Sequence, residues 1–364
     1  MWSDLDSVSR SVVEWYHKHQ PLCLLARAGF LLTRNPMRGS VKYEKPHLEF
    51  SQQLDLLSSR GLEISDTSAA EGVLRRLGYY RFAAYAYPFR QLLEPDAPRG
   101  SSVQHRTDAF VPGTRFEWIA DLASFDRQLR LVLLEGLECF ELALRVQVAY
   151  VLGRRSAFVH LEPEHLEQTA LDVPSQSAGG TVYQEWSSKY EGLMHASEDF
   201  VTHYAEKYDG RLPIWVAIEL LDFGALSRLL GFALQADRGE IGRSFGLANP
   251  NLIISASKVF NYLRNTSAHH SRLWNRALTY QIRAIPPVLA PDLAHLAQIV
   301  PAQQKKIYRP LAALAYVTRH IPGVDRSIAF KIRDLIDDFP KNSGLSPELH
   351  MGFLPGWREL PLWT

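Results

Sequence analysis

Arg264, Asn265 and His269 fall within one short stretch, Asn261 to Arg276, that reads NYLRNTSAHHSRLWNR. On a helix Asn265 and His269 are one turn apart and share a face. That spacing predicts an amide able to orient an imidazole and fix its tautomer. Arg264 lies beside the same face. An imidazole near neutrality can move a proton, and a permanently charged guanidinium can hold charge developing on phosphate oxygens. The combination suits phosphoryl chemistry. The alternative is a pair of solvated imidazoles, His269 and His270, on a helix surface.

The charge around this stretch favours an anionic ligand. No Asp or Glu occurs between Ile241 and Pro291, whereas Arg243, Lys258, Arg264, Arg272, Arg276 and Arg283 do, in a chain whose formal net charge is +1. Such a block attracts phosphate with no carboxylate of the same window competing for the arginines. Bulk coating of nucleic acid is excluded by the near-neutral total, so any binding must be local.

The looser spacing of Arg and His recurs at Arg10/His17, Arg99/His105 and Arg155/His160, but Asn follows the Arg only at Arg264. Other chemistry finds weaker support. His160-Leu161-Glu162-Pro163-Glu164-His165 could be a metal site, but a proline-broken polar loop explains it better. Gly224, Gly231 and Gly239 lack the spacing and the lysine of a phosphate loop. The two cysteines, Cys23 and Cys139, exclude a disulfide scaffold and a cysteine zinc site, and they fit a reducing cytoplasm. Pro21 to Leu32 is the longest apolar run and is too short to span a membrane. Asp4 and Asp6 argue against a signal peptide.

The elements that would position these residues are helices, so the fold class expected is all-α. Apolar residues at 50, 54 and 57 mark a helix closed by Gly61, and Thr67 to Leu77 marks a second, closed by Gly78. The aromatic run Tyr79 to Arg90 is read as packing between helices. Residues 91–114 carry prolines and glycines and predict a loop or short hairpin. Phe116 to Leu152 has no proline. Phe125, Leu129, Val132, Leu133, Phe140, Leu144, Val148 and Val151 form its apolar stripe. Asp126, Arg127, Arg130, Glu138, Glu141 and Arg145 lie opposite, where a solvated face is expected. Glu141 and Arg145 are read first as a structural ion pair. Further helices are expected from 183 to 208, from Leu212, from 251 to 263, and over 303–320 and 325–338, with an apolar tail docked on the body. This gives an extension over 1–44, itself open to reading as an overlong start. A helical region over 45–114, a motif-bearing bundle over 115–285 and C-terminal helices over 286–364 complete it.

Several stretches together resemble the Abi-like family of bacterial abortive-infection proteins, within the HEPN superfamily. They are Lys45-Pro46-His47-Leu48, Arg60-Gly61-Leu62, Leu77-Gly78-Tyr79-Tyr80-Arg81, Phe125 to Arg130 through Glu141 to Arg145, Leu212-Pro213-Ile214-Trp215, and Leu263 to Asn275. The resemblance implies a HEPN-like helical bundle and a metal-independent endoribonuclease. Its Arg, polar residue and His would be Arg264, Asn265 and His269, with His270 also at a permitted spacing. It implies a homodimer whose two motifs share a cleft, no cofactor, and cleavage by the RNA 2′-OH to a 2′,3′-cyclic phosphate and a 5′-OH. Lys258, Arg272, Arg276 and Arg283 would contact the RNA. Glu141 and Arg145 would sit beside the cleft. The role implied is a phage-defence effector in the cytoplasm, with an antitoxin or a phage component as a further partner. A non-catalytic RNA-binding protein, or a helical module sensing a phage component, are the alternatives.

Overall fold

The computed structural model describes residues 45–94, 105–176, 179–196, 201–202, 204, 207–208 and 210–364. The expected extension over 1–44 lies outside these residues, as do Arg10, His17, Cys23 and Arg99. The fold is all-α in class, with one two-stranded ribbon among the described residues. The chain divides into two units. One runs to Asp126 and adds Phe339–Leu345; the other comprises Arg127–Asp338 and Ser346–Thr364.

In the first unit, α1 (Phe50–Ser59) opens at a capping box made by Glu49 and Gln52 and buries Leu54 and Leu57. Gly61, at φ +89, turns the chain behind it, as the sequence predicts. Asp66 caps α2 (Thr67–Leu77) by accepting the Ala69 N–H. The aromatic run forms α3 (Tyr79–Ala86). Phe82 and Tyr85 are buried and Tyr80 is exposed. Phe82 stacks on Phe116 with ring centroids 4.5 Å apart. The segment expected as a loop or hairpin contributes β1 (Arg90–Leu92) and β2 (Arg106–Phe110), paired antiparallel with Arg90 opposite Phe110.

The long helix is α4 (Phe116–Gly153), 38 residues. At 1.5 Å per residue it is about 57 Å long. Of its predicted stripe, Phe125, Leu129, Leu133, Phe140, Leu144, Val148 and Val151 are buried, and Val132 is half-buried. The expectation of a solvated opposite face fails for part of it. Asp126 is 0 % exposed and accepts a hydrogen bond from the Tyr85 hydroxyl at 2.6 Å, and Arg130 is 8 % exposed. A helix this long runs through a core that covers more than one of its sides, and a charge buried there must be paired.

The second unit adds α5 (Gln168–Leu171), α6 (Val182–Ala196), α7 (Ile214–Leu220), α8 (Phe223–Phe232), α9 (Gln235–Arg243) and α10 (Pro250–Ala268). After these come α11 (Tyr308–Thr318), α12 (Ser327–Asp337) and α13 (Pro347–Met351). Phe140 of α4 ties the centre together. Its ring lies 6.2 Å from Phe223, 5.0 Å from Phe245 and 4.9 Å from Phe260. Helix α9 is absent from the sequence reading because QADRGEIGR has no apolar period. It ends in a tight turn: a Cβ on Gly242 would stand 2.5 Å from the Leu247 carbonyl oxygen. The tail docks through buried Phe353, Trp357 and Trp363, with Phe353 4.5 Å from the Tyr308 ring. Among the described residues no helix is long and apolar enough to cross a membrane.

Candidate active site

The motif sits at the end of α10. Asn249 caps the start of this helix by accepting the Asn251 N–H, and Pro250 occupies its first turn. Leu252, Ile253, Ala256, Val259, Phe260 and Leu263 anchor its inner face in the core. The helix ends in two crossed backbone bonds. The His270 N–H donates to the Ser267 carbonyl and the Ser271 N–H to the Thr266 carbonyl, each at 3.0 Å. This is the Schellman arrangement, which calls for a left-handed residue one past the cap. His270 fills that position at φ +56, where glycine is usual. His269 is therefore the cap residue itself, still one turn from Asn265, whose carbonyl accepts its N–H at 3.0 Å. Both imidazoles are exposed.

The Asn265 amide does not orient His269, contrary to expectation. Its oxygen accepts from Arg264 Nη1 at 3.1 Å, and its nitrogen donates to Asn261 Oδ1 at 3.4 Å. Among the described residues the His269 ring has no hydrogen-bond partner. What Asn265 holds is the arginine.

Arg264 is also held from outside its own window. Its Nε lies 3.8 Å from Glu141 Oε2. Glu141 accepts from Arg145 Nη2 at 2.7 Å, and Arg145 Nη1 donates to the Ile218 carbonyl. Glu141 and Arg145 thus form the expected ion pair and also stand beside the motif arginine. The lack of acids in its own window does not leave Arg264 without a carboxylate. The acid comes from α4, distant in sequence and adjacent in space. Asp222, which caps α8 by accepting the Ala225 N–H at 2.7 Å, is also near. Burial alone would raise its pKa, but the hydrogen bond from Lys189, the Ala225 N–H and the charges of Lys189 and Arg264 hold it below its ordinary value. A Cβ on Gly224 would lie 3.2 Å from Asp222 Oδ1 and 3.5 Å from Asn261 Nδ2, so the start of α8 abuts the motif helix. Asn261, Asp222 and Lys189 were not singled out in the sequence. Only Asn261 left a signal there, its place one turn before Asn265.

The other basic residues are spread along α10 rather than gathered at Arg264. Lys258 is exposed six residues earlier, about 9 Å along the axis. The Arg283 backbone N–H donates to Ser255 Oγ at 2.8 Å, which puts this residue nearer the middle of the helix, with its side chain exposed. Arg276 Nε donates to the Tyr262 hydroxyl at 3.0 Å, and its Nη1 to the Arg272 carbonyl at 3.4 Å. Arg272 also bears on Lys306. Burial first, and then this neighbouring cation, lower the Lys306 pKa to about 8.

Arg155 and His160 do not form a second site. Arg155 Nη2 is spent on both carboxylate oxygens of Asp237, each at 3.0 Å. His160 is buried, and burial lowers its pKa to about 4; Arg211 adds to the shift and Glu162 opposes it. In the same segment Glu162 pairs with His165 at 3.7 Å and with Arg211 at 3.7 Å. Among the described residues no group of His, Cys, Asp and Glu is placed to hold a metal ion.

Fold and site define a helical protein that carries an Arg-Asn pair and an exposed imidazole at the end of a buried helix. A family model described as Abi-like protein matches residues 72–275, more than half of the 364, and ends on Asn275. The chain belongs to the Abi-like family. No curated protein and no solved structure matches it.

Proposed function

We propose that this protein is a metal-independent endoribonuclease of HEPN type acting in abortive infection. Its family gives the phage-defence setting. The observation that carries the chemistry is Arg264, braced by Glu141 and Asn265, on the turn before an exposed His269. Among the described residues Arg264 Nη2 has no hydrogen bond, so one edge of a rigidly held guanidinium is open to a phosphate. The RNA 2′-oxygen attacks the adjacent phosphorus and the bond to the 5′-oxygen breaks. One imidazole takes the 2′-OH proton, and a second protonates the departing 5′-oxygen. Arg264 holds the charge on the pentacoordinate phosphorus.

The second imidazole comes from a second copy of the chain. Leu142, Val146 and Tyr150 form an exposed apolar line on α4 at helical spacing, with Trp215 of α7 nearby. A cleft of about 480 Å³ is lined by Val146, Tyr150 and Trp215, and Arg145, the partner of Glu141, is part of its wall. The apolar face is therefore continuous with the motif, so a copy docked there brings its own motif alongside.

The test is incubation of purified protein with RNA, followed by analysis of the ends. Wild type is expected to give 5′-OH and 2′,3′-cyclic phosphate ends without added metal. Arg264→Ala and His269→Ala are each expected to slow cleavage by roughly 10²-fold or more. Wild type that cuts no RNA, or a His269→Ala variant as active as wild type, refutes the proposal.

A further inference from the structure

The outer side of α10 carries, beside His269, groups that the proposed cleavage step does not use. Lys258, Tyr262 and His269 occur at i, i+4 and i+11 and so follow one stripe of the helix. Lys258 and His269 are exposed and Tyr262 is half-buried. Tyr280, from the irregular chain after the motif, meets the Tyr262 ring edge-on, with centroids 5.5 Å apart and planes at 67°. Tyr280 is itself 53 % exposed, so this placement leaves much of a large ring in water. Arg276 holds Tyr262. Its Nε bonds the Tyr262 hydroxyl, and its guanidinium carbon is 5.8 Å from the Tyr262 ring centre.

By helix rise, Tyr262 is about 6 Å beyond Lys258 and about 10 Å short of His269. Successive stacked bases of one strand are about 3.4 Å apart, so Tyr262 lies about three bases from the imidazole. Aromatic rings interleaved with cations along a groove are how single strands are held, because every base has a face to stack.

We infer that Tyr280, backed by Tyr262 and Arg276, is a stacking platform for a nucleobase of single-stranded RNA, about three nucleotides along the strand from His269. The inference rests on the RNA reading above and adds a positioning residue to it. It does not require that cleavage occur, since stacking needs only a single strand.

The probe is a fluorescent single-stranded deoxyoligonucleotide, which lacks the attacking 2′-OH, beside an abasic strand with the same backbone. Tyr280→Ala is expected to weaken binding of the base-bearing strand roughly 5- to 100-fold. Binding of the abasic strand is expected to stay unchanged, and Tyr280→Phe and Tyr280→Trp to bind as wild type does. In cleavage assays the loss appears in KM rather than kcat. If wild type binds the strand through Tyr280 but cuts no RNA, the platform stands and the nuclease reading falls. If wild type cuts RNA and Tyr280→Ala binds and cuts as well as wild type, the platform is overturned. It is also overturned if Tyr280→Ala changes only the sedimentation of the free protein, which would make Tyr280 a contact between copies.

Discussion

His269 and His270 are neighbours with different conformational duties. His270 occupies the left-handed position of the helix terminus, a conformation that costs a residue with a Cβ about 1 kcal/mol. His270→Gly is therefore expected to stabilise the protein by about 1 kcal/mol in denaturant unfolding. If His269 is the imidazole that moves the proton, the same variant retains RNA cleavage, whereas loss of cleavage with a gain in stability assigns the chemistry to His270. The spacing of the motif alone admits both residues. Only the terminus geometry separates them, because it depends on where the helix stops.

The helix that precedes the motif helix ends in a tight turn that a glycine makes possible. At Gly242, near the end of α9, an added Cβ would stand 2.5 Å from the backbone oxygen of Leu247, in the turn that follows the helix. Gly242→Ala is expected to cost about 2 kcal/mol in thermal or denaturant unfolding. Gly231, inside α8, has open space around its Cα. Gly231→Ala is expected to stabilise by up to about 1 kcal/mol, through helix propensity and reduced freedom of the unfolded chain. Equal effects from the two substitutions would remove the need for glycine at the turn that closes α9. Sequence periodicity is sensitive to apolar stripes, so it marks α2 and α4 to within a residue of their ends. It passes over α9, whose packing is made by glycines and by Asp237 paired with Arg155.

At the scale of the whole molecule the proposed nuclease works only as a pair. Val146→Asp places a charge on the exposed apolar line of α4, where a monomer tolerates it and an interface does not. It is expected to turn a dimer into a monomer in sedimentation velocity and to lower cleavage in step. A wild type that sediments as a monomer, or a dimer that survives the substitution, removes that face from the assembly. The amino-acid order by itself determined the helical class, the ends of α1 and α2 at their glycines, the length of α4 and the single Arg-Asn-x-x-x-His stretch. These follow from local propensity, helical period and residue spacing, which act within a few turns of chain. Only the tertiary structure decided that Glu141 braces Arg264 and that Asn265 serves the arginine rather than the imidazole. It likewise decided that Asp126 is buried and that Tyr280 stands against Tyr262. Each of these depends on which distant segments are pressed together, and hydrophobic burial, which drives that choice, has no direction along the chain.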